Sequence, residues 1–289
     1  MNGGRGWEGW REGLEAAAAD LAADGIRVPA LEGKLLRPVV TWSLVEGHLD
    51  AEAERSVVLG ALAIQMVHEA SLLHDDILDG AETRRGKTSL AAARGPGVAL
   101  VLGDSYLTGA YRAAARVQDP AFLHTFITAV ERTVAGEAAQ ARHSGRILDE
   151  TTYLDIVRGK SGELFGAATA LAALARGMSE PEVAAAREFG RDLGALYQRI
   201  DDFLDYCPRI ETGKALAEAI IAATTKPSVL IQGSATGIYG TQADAPAGVD
   251  KEEDIDALNT LSRELLVDKR YRYVFELGLI TILDDIRDD

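Results

Sequence analysis

Cysteine is nearly absent: Cys207 is the only one in 289 residues, so no internal disulfide can form and a reducing cytoplasm is the expected setting. Aromatic side chains make up only 6%. Positive charge is also short, with 30 Lys and Arg against 45 Asp and Glu and a net charge of −15. A chain this acidic repels nucleic acid and anionic lipid surfaces, and neither is expected as a partner. No run of alternating apolar and polar residues is long enough for a strand, and no period of roughly 20–50 residues marks a repeat. The first residues, Met1 to Trp7, lack the apolar core of a signal peptide. The longer apolar stretches, such as Phe165 to Ala175, are too short and too small in side chain to span a bilayer, so no stable membrane insertion is expected. A Gly-x-x-x-x-Gly-Lys-Ser/Thr phosphate loop is missing, which argues against nucleotide hydrolysis, and no Ser/His/Asp nucleophile set stands out.

What the chain has is alanine and leucine. They dominate an apolar fraction of 47%, enough for a sizeable core, and they favour helix over strand. Helices are expected over Trp10–Ala23, Val39–Gly47, Ala51–Leu73, Val98–Arg116, Ala121–Gln140, Thr151–Ala175, Pro181–Tyr206, Ala215–Ala223, Ile255–Val267 and Tyr271–Asp285. Asp24-Gly25, Gly80 and Asp119-Pro120 punctuate them, and Asp149-Glu150-Thr151-Thr152 offers capping chemistry. Gly233 to Gly248 reads as a loop. The length allows one large domain or two ordinary ones, and the reading is a single all-α domain over residues 1–289.

The third helix carries the most unusual chemistry. Its apolar run ends in Asp75-Asp76-Ile77-Leu78-Asp79, and Arg84-Arg85 follows closely. Carboxylates at i and i+4 share a helix face. Three so close repel one another unless a cation lies between them. A hard divalent ion such as Mg²⁺ takes oxygen ligands and shares them with phosphates, and the arginines then suit phosphate as well. Gln198-Arg199-Ile200-Asp201-Asp202-Phe203-Leu204-Asp205 repeats the Asp-Asp-x-x-Asp spacing. One copy would be weak evidence, because acidic helix faces are usually solvated. Both copies, however, lie within apolar sequence, where an unpaired carboxylate costs on the order of several kcal/mol. Lys34, Arg37, Arg84, Arg85, Lys160, Lys214 and Lys226 fall in loops or at helix ends. Two acidic helix ends facing one cavity, with cations around them, suit a diphosphate held by metal ions as leaving group or anchor. The terminal Asp284-Asp285-x-x-Asp288 imitates the motif with no basic residue grouped around it except Arg287, and reads as solvated.

The ordered motifs are Gly33-Lys34-x-x-Arg37-Pro38, His68 with Leu73-His74-Asp75-Asp76-x-x-Asp79, Arg84-Arg85-Gly86-Lys87, Gly103-Asp104, Lys160-Ser161 and Gln198-x-x-Asp201-Asp202-x-x-Asp205. In this series the chain resembles the trans-isoprenyl diphosphate synthase (polyprenyl synthetase) family, from about Gly33 to Lys226. The resemblance implies an isoprenoid synthase-type bundle of long helices around a deep central cavity, usually in a homodimer. It implies a reaction in which an allylic prenyl diphosphate ionises with Mg²⁺ assistance. The double bond of isopentenyl diphosphate attacks the cation, and a proton is lost to the departing diphosphate. By the same resemblance Asp75, Asp79 and Asp201 hold the metal, three Mg²⁺ ions in all, supported by Asp76, Asp202 and Asp205. Arg84, Lys160 and Lys214 contact the allylic diphosphate. Lys34, Arg37, His68 and Arg85 hold isopentenyl diphosphate, and Lys226 joins the substrate-binding set. Gln198 and Ser161 line the path of the cation. His74 is read as structural, and Glu137 and Gln140 as ordinary helix-surface residues.

The chain departs from the family pattern twice. Leu35 stands where a basic residue is frequent. Gly213-Lys214 leads into a helical alanine-rich segment, with no Asp before Lys226-Pro227. The departures leave room for a terpene synthase-like cyclase on the same fold, or for a non-catalytic subunit that modulates a prenyltransferase. The intact isopentenyl-binding set and the two complete aspartate motifs favour the elongating enzyme. Ala70 and Ser71, five and four residues before Asp75, are small, so nothing bulky blocks the cavity at that depth. Met66, Val67, Tyr106 and Tyr111 are candidate floors, and the expected product is C20, geranylgeranyl diphosphate.

Overall fold

The computed structural model describes residues 6–143 and 148–205, with backbone only for residues 150 and 200–205. The expected helices beyond Tyr206, the loop at 233–248 and the terminal acidic run lie outside the described residues. The chain divides into two compact units, one of Met1–Arg132 with Ala167–Val183, the other of Thr133–Gly166 with Ala184–Asp289.

The first unit is built on α3 (Ala51–Leu78), against which α1 (Trp7–Ala23), α2 (Leu36–Val45) and α5 (Pro96–Arg116) pack. Asp50 starts α3 as its N-cap, its Oδ1 accepting from the amides of Glu52 and Ala53 at 3.0 and 2.9 Å. Those two bonds hold the Asp50 carboxyl below its ordinary pKa. Leu62, Ile64 and Met66 of α3 are fully buried, each contributing about 1.5–3 kcal/mol relative to exposure. Within the same unit, Phe122 and Phe126 at the start of α6 (Pro120–His143) pack together, and Tyr111 meets Phe126 edge-on at 5.7 Å. Trp7 joins Trp10 and Trp42 in an aromatic group that seats α1 beside α2. By length and composition α3 could cross a membrane, but most of that stretch is buried inside the protein.

Between α3 and α5 lie elements the sequence did not suggest. Thr83–Arg84 (β1) pairs antiparallel with Lys87–Thr88 (β2), and α4 (Leu90–Arg94) follows, capped by Ser89. The connecting residues Arg85 and Gly86 both have positive φ, +51° and +71°. This is the geometry of a two-residue hairpin turn of the mirror-image type. Glycine takes it without strain, whereas Arg85 pays about 1–2 kcal/mol. Strands of two residues are too short to show alternation in the sequence.

The second unit holds the end of α6, α7 (Glu150–Val157), the start of α8 (Glu163–Ala175) and most of α9 (Glu180–Asp205). Asp149 caps α7, accepting from the Thr152 amide at 2.8 Å and hydroxyl at 3.0 Å. A continuous helix was expected over Thr151–Ala175. Instead one π-helical turn, Arg158–Gly162, joins α7 to α8. The turn lies close against α6. Gly136 abuts the backbone of Gly159 and Lys160 so closely that a Cβ there would collide with the Lys160 amide nitrogen. The wider turn lets the two backbones meet, and π-turns of this kind recur at functional sites.

Candidate functional site

The first acidic motif occupies the last turn of α3. Asp75 and Asp79 are four residues apart, and the Asp79 amide closes the helix on the Asp75 carbonyl at 2.8 Å. Asp75 and Asp76 are buried, while Asp79, the C-cap, is exposed. A helix C-terminus carries a partial negative charge, and no basic residue stands in the last turn of α3 to offset it. The site therefore calls for cations from elsewhere. One arrives from β1: Arg84 donates to Asp76 Oδ1 through Nε at 2.9 Å and Nη2 at 2.6 Å. Asp75 and Asp79, on one face of the last turn, are carboxylates of the kind that could hold a hard ion such as Mg²⁺, which accepts few carboxylates and keeps other positions for water and phosphate oxygen. Among the described residues no cluster of three or more His, Cys, Asp or Glu side chains forms a complete metal cage. The side chains of Asp201, Asp202 and Asp205 lie outside the described residues.

About two turns before the acidic end, α3 meets a cationic group. His68 is half-buried. Desolvation first, then the charges of Arg37, Arg85 and Arg84, hold its imidazole well below its ordinary pKa, so it is neutral near pH 7 and keeps one N–H donor. The Arg85 Nη2 donates to Glu69 Oε1 at 3.1 Å, and the Gln65 Nε2 donates to the same oxygen at 2.9 Å. Lys34 is exposed and Arg37 half-buried at the entry to α2. Leu35, where a basic residue was noted as frequent, is only 4% exposed and has φ +48°. Its side chain belongs to the core, so this position adds nothing to the cationic group.

The sign of the His68 effect on stability follows directly. Below its ordinary pKa of about 6.5 the unfolded chain binds a proton there that the folded chain refuses, so stability falls as pH drops from 6.5 toward the lowered folded value and is unaffected above 6.5. His68→Gln should flatten this acid limb, by up to about 1.4 kcal/mol per pH unit. Urea midpoints of both proteins between pH 5 and 8 measure it, and parallel curves would show that His68 titrates normally.

In the second unit the π-turn presents Lys160 and Ser161. The Lys160 ammonium lies 2.9 Å from Glu137 Oε1 on α6, both side chains less than one fifth exposed. Ser161 Oγ donates to Gln198 Oε1 on α9 at 2.7 Å, bringing two of the expected residues together. Glu137, read from the sequence as a surface residue, is thus the partner of Lys160. Next to the turn, Glu163 is 1% exposed and paired with Arg187 Nη2 at 2.6 Å and Arg191 Nε at 2.9 Å. Sequence reasoning missed Glu69 and Glu163 because a carboxylate with an arginine many residues away leaves no local signal. Lys214 and Lys226 lie outside the described residues. Of the chain-length positions, Ala70 is buried and the half-buried Ser71 donates its hydroxyl to the His68 carbonyl at 2.8 Å.

The chain is 31% identical over 175 residues to an octaprenyl diphosphate synthase of Haemophilus influenzae, covering 60% of this chain and 53% of that protein. It is 32% identical over 212 residues to a decaprenyl-diphosphate synthase of Dictyostelium discoideum, covering 73% and 44%. The matches thus span about half the length of these curated relatives. Among solved structures, an isoprenoid synthase family member from Thermotoga neapolitana has the same helical fold, with a TM-score of 0.66 at 20% identity over 96% of this chain and 97% of that one. The all-α, isoprenoid synthase-type fold is the one anticipated. Residues 26–234, with α3, the hairpin, the π-turn and both aspartate motifs among them, match the family model described as polyprenyl synthetase, and the chain belongs to that family.

Proposed function

We infer that the protein is a chain-elongating prenyltransferase, which condenses an allylic prenyl diphosphate with isopentenyl diphosphate and makes products longer than C20. The observation that carries this reading is the sorting of charge along α3. Asp75 and Asp79 stand at the negative end of the helix, and a neutral His68 stands earlier among Arg37, Arg84 and Arg85. That arrangement suits two diphosphates, one held through a metal ion and one held directly by guanidinium groups. Mg²⁺ on Asp75 and Asp79 would supply neutralisation of the charge that builds on a departing diphosphate. On their spacing alone, Asp201, Asp202 and Asp205 are proposed as further ligands, with three ions as the full complement.

The chain's own groups do the rest. Lys34, Arg37 and Arg85 bind the isopentenyl diphosphate, and the neutral His68 donates a hydrogen bond to it. Lys160 and Lys214 take charge from the allylic diphosphate, together with Arg84 if that anion competes with Asp76. Lys226 remains a proposed substrate contact. The Ser161 hydroxyl and Gln198 amide offer oriented dipoles to a passing carbocation. The octaprenyl and decaprenyl names of the relatives support products beyond C20, and the small Ala70 and Ser71 on α3 are compatible with such lengths. The C20 expectation gives way to them. Self-association is part of the proposal, since α5 exposes Val98, Leu100 and Val101. So are a single domain over residues 1–289 and a cytoplasmic setting.

The full chain with Mg²⁺, farnesyl diphosphate and labelled isopentenyl diphosphate should yield labelled prenyl diphosphates longer than C20. Hydrocarbon from geranylgeranyl diphosphate alone would instead indicate a cyclase. Absence of product from every substrate combination would indicate a subunit without its own turnover.

A further inference from the structure

We propose that Glu69 is the positioning residue that fixes Arg85 for the diphosphate of isopentenyl diphosphate, with Gln65 fixing Glu69 in turn. The proposal rests on the prenyltransferase reading and adds a residue to it. Arg85 sits at the tip of the β1–β2 hairpin with φ +51°, a backbone conformation that a long side chain rarely adopts. Something must hold it there, because an exposed two-residue turn offers little packing. The observed tie is the bond from Arg85 Nη2 to Glu69 Oε1 at 3.1 Å.

Glu69 is itself held. Its side chain is only 12% exposed, and the oxygen that accepts from Arg85 also accepts from Gln65 Nε2 at 2.9 Å. Gln65 lies one turn earlier on α3 and is 3% exposed. The anchor therefore runs from the packed interior of α3 to the hairpin tip. Gly33 also lies beside the guanidinium, where a Cβ would stand 3.8 Å from Arg85 Cζ. Gly33 immediately precedes Lys34, so the tie places Arg85 beside the loop that carries another proposed diphosphate ligand. A guanidinium has five N–H donors in a rigid fork. Glu69 uses one corner of it, and the remaining edge can meet phosphate oxygens already oriented.

Two effects of Glu69 oppose each other, and they can be separated. As an anion it competes with a diphosphate for Arg85, so losing its charge would tighten binding. As an anchor it pre-orders Arg85, so losing its oxygen would weaken binding. Glu69→Gln removes the charge and keeps an acceptor in the same place, whereas Glu69→Ala removes both. We expect the isopentenyl diphosphate Kd, measured by calorimetry on the full chain, to rise about tenfold in Glu69→Ala and to stay within about threefold in Glu69→Gln. Affinity for farnesyl diphosphate and the thermal midpoint should be unchanged in both. In turnover, Glu69→Ala should raise the KM for isopentenyl diphosphate and leave kcat and the allylic KM near wild type.

If Glu69→Ala binds isopentenyl diphosphate as tightly as wild type, or if both variants bind it more tightly, the positioning role is overturned. Equal weakening toward both diphosphates with a lowered thermal midpoint would also overturn it, as a folding effect. A wild-type chain that binds no isopentenyl diphosphate would overturn the prenyltransferase reading itself and remove this proposal with it, an outcome distinct from the others.

Discussion

Asp75→Asn should lower the rate of prenyl transfer by about a thousandfold, with helical content unchanged. The substitution is nearly isosteric and lies on the last turn of a 28-residue helix, so the helix itself should persist. What changes is charge. Asp75 is buried at a helix C-terminus, where the carbonyl ends already favour a cation. An amide oxygen there is a much weaker ligand for a hard divalent ion than a carboxylate. Removing one preorganised electrostatic contact to a developing charge typically costs about 10²–10³ in rate. A metal contact that also organises the leaving group stands at the upper end of that range. The Mg²⁺ concentration for half-maximal activity should rise in parallel. Activity within tenfold of wild type at saturating Mg²⁺ would remove Asp75 from the proposed metal ligands.

The same motif contains its own control. Asp76 adjoins Asp75 in sequence, yet its Oδ1 is taken by both Nε and Nη2 of Arg84. Replacing it frees an arginine as well as deleting a carboxylate, so its phenotype mixes metal and phosphate effects.

How much of this was legible in the sequence depends on how local each signal is. The helical class and the bounds of α1, α5, α6 and α9 came within a few residues, because composition and caps act within a turn or two. The first acidic motif was legible as well, since its spacing puts Asp75 and Asp79 on one helix face. The bonding inside the site was not. Arg84 to Asp76, Arg85 to Glu69, Lys160 to Glu137 and Arg187 to Glu163 join residues separated by 8, 16, 23 and 24 positions, and no periodicity links such pairs. The hairpin was hidden because its turn has arginine where asparagine or glycine would announce it. The π-turn was hidden because the backbone it meets, at Gly136, lies on a different helix.

Glu163 should show the largest effect on stability. It is 1% exposed and held by two guanidinium groups, Arg187 at 2.6 Å and Arg191 at 2.9 Å, whose side chains are each 21% exposed. Arg191 also bonds Glu188 at 2.7 Å on the outside, but Arg187 has no second carboxylate among its described contacts. Glu163→Ala would leave two partly buried cations facing each other across the gap. Breaking a buried pair from one side costs about 3–5 kcal/mol, whereas replacing the whole group by apolar residues can be close to neutral. Denaturant midpoints should therefore fall sharply for Glu163→Ala and recover much of the loss in the triple change Glu163→Leu, Arg187→Met, Arg191→Met. Recovery in the triple variant would locate the cost in uncompensated charge. If instead the single and triple variants are equally destabilised, shape complementarity around α8 and α9 outweighs charge in this unit. A single variant as stable as wild type would mean the network adds nothing to folding. The π-turn ends at Gly162, one residue before Glu163, so loss of the network should reach Lys160 and Ser161 as well. The triple variant tests this too, because restored folding with a still-raised KM for the allylic diphosphate would show that these charges orient the turn as well as stabilise it.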